Sequence, residues 1–285
     1  MPTRKMFLKM GLLAGLAAML SACSPATPLN LLVPRSGYDR HLDIAYGSDP
    51  RHRLDVYVPH GLKGPAPVLL FFYGGSWQTG QRSDYLAFGQ AFASAGIVTV
   101  VADYRLYPQV TYPAFVEDGA AALAWVHANI KAHGGDPGRI FVSGHSAGAY
   151  NAVMLASEPG FLAAKGGSPD WIRGVIGIAG PYDFLPLREE SYIAIFHGRN
   201  NADAMPINHV TGRRPPMLLV AGSDDGTVDP GNSDRMAAKL RANGGTARVI
   251  KYPGTGHIGI ILSLAPGFRG RTTLRQDIQD FINAH

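Results

Sequence analysis

The chain has 285 residues, of which 46% are hydrophobic and 16% are charged. This composition is typical of a globular core and excludes extended disorder over most of the chain. The formal net charge is +5, and Arg4, Lys5 and Lys9 near the N-terminus carry three of those positive charges. The rest of the sequence is nearly balanced and contains no run of like charge, so it predicts no nucleic-acid-binding surface.

Residues 1–22 have the three parts of an export signal: a positive start, an apolar stretch at 10–20 and small residues before Cys23. The apolar stretch is too short to span a bilayer as a helix, which disfavours a transmembrane anchor. The segment L-S-A-C at 20–23 resembles a bacterial lipobox, in which the cysteine is lipidated and becomes the first residue of the mature protein. Cys23 is the only cysteine, so it has no internal disulfide partner. We therefore predict an exported, membrane-anchored lipoprotein that faces the periplasm or the cell surface. The alternative is a plain cleaved signal with an incidental cysteine.

The mature chain is predicted to begin with a tether and a hairpin. Residues 24–34 are rich in proline, serine, threonine and asparagine, which is typical of a linker, and the predicted tether covers 23–37. Residues 41–46 and 53–58 then alternate apolar and polar side chains around G-S-D-P-R, which predicts two antiparallel strands.

The remaining chain alternates continuous apolar runs with helical segments. Continuous apolar runs are typical of strands that are buried on both faces of a parallel sheet. These runs cover 66–73, 96–104, 139–144, 173–180, 216–222 and 247–253, and the helical segments cover 84–95, 114–132, 146–158, 232–243 and 272–284. This alternation predicts an α/β fold with a mostly parallel central sheet and helices on both faces, within one domain at 38–285.

Residues 181–214 interrupt the alternation. The segment mixes apolar and charged residues and is too long for a plain connection between a strand and a helix. We predict a small cap inserted over the functional site, and a second domain is the less favoured alternative.

The segment I-F-V-S-G-H-S-A-G-A-Y at 140–150 contains a G-x-S-x-G motif between an apolar run and a helical pattern. A sharp strand-to-helix turn with small residues on both sides of Ser146 would raise its hydroxyl above the sheet edge. A glycine-rich loop without chemistry is the alternative. A serine nucleophile needs a base, a group that orients the base, and donors for an oxyanion, so these partners decide between the two interpretations.

The base is predicted to be His257. It follows the last apolar run in Y-P-G-T-G-H-I-G, on a glycine-flanked loop at the sheet edge where open α/β sheets place their sites. His145 is adjacent to Ser146 and should point away from it. The other histidines that we weighed lie in the N-terminal hairpin or in a helix: His41, His52, His60, His127 and His133.

The orienting acid should follow a strand between the serine and the histidine. The segment after the 216–222 run offers Asp224, Asp225 and Asp229, and Asp183 follows the preceding run. The spacing from Gly222 to Asp225 resembles a G-x-x-D-x-x-V turn, so we predict Asp225 as the acid. Turn formation and helix capping are the alternative roles of the other three aspartates.

Oxyanion donors are expected from two places. One is the backbone N–H of Ala147, at the start of the helix after the serine. The other is the loop Y-G-G-S-W at 73–77, where Gly75 and Ser76 are both candidates. Tyr73 and Trp77 are predicted to line the substrate pocket beside this loop.

The sequence implies neither a metal nor a cofactor. It has no H-x-x-x-H or C-x-x-C spacing. Gly254, Gly256 and Gly259 match the dinucleotide fingerprint G-x-G-x-x-G, but only a terminal helix follows them, so no βαβ unit can form.

Taken together, the segments at 73–77, 103–126, 134–150 and 222–228 resemble the α/β-hydrolase superfamily in its carboxylesterase branch. Within that branch the chain is most similar to feruloyl-esterase-like and arylformamidase-like serine hydrolases, over roughly 40–285. The resemblance implies that Ser146 attacks an acyl carbonyl, His257 transfers the proton, Asp225 holds His257, and water releases the acyl-enzyme. The predicted substrates are short-acyl or aryl carboxylic esters. One departure is Tyr73, which occupies the place of a histidine that usually shapes the oxyanion loop.

Two other functions remain open from the sequence. An arylformamidase-like hydrolase of small amides would use the same residues on another leaving group. A non-catalytic binding protein on the same fold is disfavoured, because it would usually lack one of the three residues.

Overall fold

One mixed sheet organises residues 30–285, the part of the chain that the computed structural model describes. The predicted signal peptide and Cys23 lie outside these residues. The strands are β1 (Tyr38–Ala45), β2 (Arg53–Pro59), β3 (Ala66–Phe72), β4 (Val98–Ala102), β5 (Gly135–His145), β6 (Ile172–Ile178), β7 (Met217–Gly222) and β8 (Ala247–Tyr252).

The strand order is β1-β2-β4-β3-β5-β6-β7-β8. The pairs β1–β2 and β2–β4 are antiparallel, and all pairs from β4 to β8 are parallel. Every residue of β4 and β7 is buried, as expected for strands covered on both faces. The order places β5 in the middle of the sheet, so the residue that follows it lies at the centre of the carboxyl edge.

The helices are α1 (Leu86–Ala93), α2 (Ala114–Asn129), α3 (Ala147–Ser157), α4 (Gly160–Ala163), α5 (Glu190–Ile195), α6 (Gly231–Ala242), α7 (His257–Leu262) and α8 (Leu274–Ala284). Short 3₁₀ turns cover Arg82–Tyr85, Ile130–His133, Pro169–Trp171, Ala202–Ala204 and Pro206–His209. Helix α2 packs against α3, and α1 packs against α8, so the two pairs cover different parts of the sheet. Within residues 30–285 no helix combines the length and the apolar character that crossing a membrane requires.

Residues 30–37 of the predicted tether contact the domain. The side-chain amide of Asn30 donates a hydrogen bond to the Ser83 carbonyl at 2.8 Å. Val33 is buried in the core, and Tyr38 donates to the Pro34 carbonyl at 2.9 Å. From Asn30 onward, the predicted tether is therefore in contact with the domain.

The segment 181–214 lies against the loop that follows β3 and against α3. Tyr192 donates to the Ser76 hydroxyl at 3.1 Å, and Tyr150 of α3 donates to the Ala204 carbonyl at 2.6 Å. Phe196 is buried and packs edge-on against Trp77, with ring centroids 4.8 Å apart. These contacts fix the segment beside the residue that follows β5.

Candidate active site

Ser146 occupies the turn between β5 and α3. Its φ of 56° and ψ of −122° lie in a region that residues other than glycine rarely adopt. A Cβ at Gly144 would lie 2.1 Å from the Gly148 carbonyl oxygen, and a Cβ at Gly148 would lie 2.1 Å from the Phe72 carbonyl oxygen. Both distances are far inside van der Waals contact, so the two glycines of the motif are required by the close approach of β5, α3 and β3.

We expect Gly148→Ala to prevent correct folding of the turn, because the new methyl group would collide with backbone rather than with a movable side chain. A matched control is Gly64→Ala, since nothing lies within 4 Å of a Cβ at Gly64. Thermal unfolding of both variants measures the difference. A melting temperature for Gly148→Ala close to that of Gly64→Ala would contradict this reading of the turn.

His257 stands next to the serine. Its Nε2 lies 2.9 Å from Ser146 Oγ, and its side chain is only 9% exposed. The sequence predicted a loop at this position, whereas the structure starts α7 at His257, directly after extended Gly256.

Asp225 completes a chain of hydrogen bonds. Its Oδ2 lies 2.8 Å from His257 Nδ1, and its Oδ1 accepts the backbone N–H groups of Thr227 and Val228, each at 2.9 Å. The Asp225 side chain is fully buried. These bonds orient the carboxylate, so His257 Nδ1 carries the proton and Nε2 is free to accept one from Ser146.

The rival aspartates have other partners. Asp183 and Asp229 both pair with Arg235, at 2.7 and 3.0 Å. Asp224 accepts the hydroxyl of Ser223 at 2.6 Å. Of the four aspartates considered from the sequence, the structure brings only Asp225 to His257.

The loop after β3 approaches the serine from the other side. Gly75, Ser76 and Trp77 all have positive φ, at 133°, 56° and 58°. Within residues 30–285 the N–H groups of Ser76 and Ala147 donate to no protein acceptor, and both residues border the same cavity as Ser146. Gly75 borders the other cavity at Ser146, which Ala147 does not border, and among the described residues its N–H also donates to no protein acceptor. Ser76 and Ala147 are therefore the pair of candidate oxyanion donors that share one cavity with Ser146.

The prediction that Tyr73 lines the substrate pocket is wrong. Its side chain is fully buried, and its ring stacks on Tyr104 with centroids 4.7 Å apart. Its hydroxyl accepts a hydrogen bond from Arg51, and its carbonyl accepts the Tyr104 hydroxyl at 2.8 Å. The residue points into the core below the loop, so its contribution is to support the loop.

Trp77 is buried but borders the cavity that contains Ser146 and Ala147. Its indole N–H donates to Asn151 Oδ1 at 3.1 Å, which ties the loop to α3. Phe184 of the segment 181–214 stacks near Trp77, with centroids 6.4 Å apart. Trp77 and Phe184 thus form one aromatic wall beside the serine.

His145 links the two loops around the serine, a role to which sequence reasoning gave no weight. Its Nε2 donates to the His257 carbonyl at 3.0 Å. The Tyr85 hydroxyl lies 3.5 Å from His145 Nδ1 and accepts the Gly74 N–H at 3.2 Å. Burial, with a smaller contribution from nearby His257, lowers the pKa of His145 from 6.5 to about 3. His145 therefore stays neutral and bridges the oxyanion loop to the histidine.

This pKa predicts a pH-dependent loss of stability. Unfolded His145 binds a proton near pH 6.5 and folded His145 only near pH 3, so the unfolded state holds more protons between these values. The contribution of His145 is fully present above about pH 6.5 and falls as the pH decreases, with a limiting slope of about 1.4 kcal/mol per pH unit. The amide of His145→Gln can still donate to the His257 carbonyl but does not titrate. We therefore expect this variant to lower the pH dependence of the unfolding free energy by up to about 1.4 kcal/mol per pH unit, which corresponds to one proton. Urea unfolding between pH 4 and 7 measures it, and parallel curves for the two chains would contradict the assignment.

Two cavities meet at the serine. The first has a volume of about 680 Å³ and is bordered by α1, α7 and the oxyanion loop. The second has a volume of about 480 Å³ and is bordered by Trp77, Ala147 and the segment 181–214. Both volumes are within the range of small-molecule sites. Three residues border both cavities: Ser76, Ser146 and Thr227. The nucleophile therefore lies where the two cavities meet.

Within residues 30–285 no group of three or more histidine, cysteine, aspartate or glutamate side chains is placed to hold a metal ion.

The sheet order, the turn at Ser146 and the carboxyl-edge position of its partners define an α/β-hydrolase. Solved structures share this fold. Esterase B from Lactobacillus rhamnosis superposes with a TM-score of 0.78 at 18% identity, over 97% of this chain and 95% of that one.

Comparison with known sequences identifies the family. The BD-FAE family model matches residues 54–240, and the chain belongs to that family. Among curated relatives, isoprenylcysteine alpha-carbonyl methylesterase from Arabidopsis thaliana is 30% identical over 263 residues, 85% of this chain and 61% of its own length. Esterase LipC from Mycobacterium tuberculosis is 32% identical over 235 residues, 75% of this chain and 58% of its own length. The chain thus spans about three fifths of the length of these relatives.

Proposed function

We propose that the protein is a serine carboxylesterase that hydrolyses carboxylic esters with short acyl or aryl groups through an acyl-enzyme. The observation that carries this proposal is the continuous set of hydrogen bonds from Ser146 through His257 to Asp225, at 2.9 and 2.8 Å. A serine hydroxyl is a weak nucleophile, and a neutral histidine held in one tautomer is the base that activates it.

In the first half-reaction, Ser146 Oγ forms a bond to the carbonyl carbon while its proton moves to His257 Nε2. The carbonyl oxygen becomes an oxyanion and accepts the N–H groups of Ser76 and Ala147. Asp225 stabilises the imidazolium that forms. The bond from the carbon to the alcohol oxygen then breaks, and Nε2 returns its proton to that oxygen.

In the second half-reaction, water takes the place of the alcohol. It gives a proton to His257 Nε2 and attacks the acyl-enzyme, and the carboxylic acid leaves as the proton returns to Ser146 Oγ. No oxidant, metal or cofactor enters either balance.

A direct test is hydrolysis of p-nitrophenyl esters of graded acyl length by a form that lacks residues 1–23, with chelator present. We expect turnover that is highest for acyl groups of a few carbons, because Trp77 and Phe184 limit one side of the second cavity. A formamide and a peptide substrate should react far more slowly. Turnover confined to the formamide would exclude the esterase assignment.

We also propose that the protein is an exported lipoprotein anchored through Cys23. The support is the export-signal pattern at 1–22 and the single cysteine that follows it. A stable anchor needs more than one acyl chain, which lipoprotein processing supplies.

We expect Cys23→Ala to move the protein from the membrane to the soluble fraction, or to leave it unprocessed. Fractionation followed by immunoblotting measures the distribution, and mass spectrometry of the N-terminal peptide measures the modification. An unmodified Cys23 thiol on mature protein would refute the anchor.

A further inference from the structure

The two cavities at Ser146 differ in the chemistry of their walls. Apolar side chains of α1 and α7 dominate the lining of the first cavity: Ala87, Phe88, Ile258, Ile261 and Leu262. Among residues 30–285, Asp84 is the one acidic side chain that borders it. Charged side chains border the second cavity beside its aromatic wall: Asp183, Arg188, Asp229 and Arg235. The larger cavity therefore suits a bulky apolar group, and the smaller one suits a compact group with polar surroundings.

The positions of the base and of the oxyanion donor distinguish the two halves of an ester. In the tetrahedral intermediate the oxyanion must face the N–H of Ala147, and the alcohol oxygen must face His257 Nε2, which protonates it as it leaves. His257 borders the first cavity, and Ala147 borders the second. The alcohol half thus extends towards the first cavity and leaves the second cavity for the acyl half.

We propose that the substrates are esters of a bulky apolar alcohol with a compact acid, and that the first cavity binds the alcohol. This inference rests on the proposed esterase function and specifies its substrate class. A bulky apolar group removes more apolar surface from water in the first cavity than in the second, whose charged walls it would desolvate.

Octyl acetate and ethyl octanoate test this assignment on the full-length chain. They are isomers that carry the same long chain in the alcohol half or in the acyl half. We expect kcat/KM to be at least tenfold higher for octyl acetate, after each value is divided by the rate constant of the same ester with hydroxide. Equal values, or a preference for ethyl octanoate, would overturn the inference.

A cavity-filling variant localises the effect. Ala87 is half-buried on α1 and borders the first cavity, so Ala87→Phe should fill space there. We expect the ratio of kcat/KM for octyl acetate to that for ethyl octanoate to fall at least tenfold. The matched control is Ala242→Phe, at an exposed position near the end of α6, which should keep the wild-type ratio. A ratio that rises in Ala87→Phe would show that the acyl half occupies the first cavity.

Failure of this inference can be separated from failure of the esterase proposal. Ethyl acetate is small in both halves, so its hydrolysis reports the reaction without reporting the cavities. Hydrolysis of ethyl acetate without discrimination between the two isomers would overturn the substrate class alone. Absence of hydrolysis of all three esters and of p-nitrophenyl acetate would overturn both.

Discussion

Ser146→Ala should lower kcat for p-nitrophenyl acetate by roughly 10⁴-fold or more, because residues of such a set act as a unit and the nucleophile has no substitute. The substitution removes Oγ and leaves the backbone turn in place, so the fold should persist. Steady-state kinetics and circular dichroism of both chains measure the two effects.

A fluorophosphonate probe provides an independent measurement. It should label the wild-type chain at Ser146 and leave Ser146→Ala unlabelled, with the site identified by peptide mass spectrometry. Ser143 is the matched control: it lies in β5, three residues before Ser146, and is fully buried, so it should stay unlabelled. Robust turnover by Ser146→Ala, or labelling of another serine, would exclude the mechanism.

Asp225→Asn should reduce kcat by roughly 10³- to 10⁴-fold. The asparagine oxygen can still accept the N–H groups of Thr227 and Val228, which directs the amide NH₂ towards His257 Nδ1. Nδ1 must then accept, so the proton moves to Nε2, which can no longer take one from Ser146. The reaction therefore loses its base while the loop keeps its hydrogen bonds, and the melting temperature should change little.

Asn variants at the other three aspartates are the controls for this prediction. Asp183 and Asp229 form partly exposed pairs with Arg235, and such pairs contribute about 0–1 kcal/mol. Asp224 bonds a neighbouring serine hydroxyl. Each control should keep kcat within about tenfold of wild type. A crippled Asp183→Asn beside an active Asp225→Asn would show that the acid has been misassigned.

The sheet could be predicted from the sequence because its strands are buried on both faces. The apolar runs at 66–73 and 216–222 coincide with β3 and β7 to within one residue. Burial does not determine where a strand ends. β5 begins at Gly135, four residues before the apolar run, because Gly135 pairs with Ala66 of β3. Such pairing depends on the neighbouring strand, which a local pattern cannot report.

The same limit applies to the site. Ser146, His257 and Asp225 were identifiable because each follows a strand at one edge of the sheet, and the structure places them within hydrogen-bonding distance. Tyr73 was misplaced because its neighbours in the chain lie at the site while its own side chain turns into the core. His145 was missed because its partner is a backbone carbonyl 112 residues away. The burial that lowers its pKa exists only in the folded chain.

The conformation of Ser146 sets folding stability against chemistry at a single residue. A non-glycine residue in such a region typically carries about 1–3 kcal/mol of backbone strain, which is a sizeable part of the stability of an ordinary domain. Gly144 and Gly148 accommodate the turn without a Cβ, but Ser146 has to keep one because it bears the hydroxyl. Selection for stability alone would favour glycine at 146, so the most stable form of this turn would also be an inactive one. Engineering that ranks variants only by melting temperature would therefore select against the nucleophile.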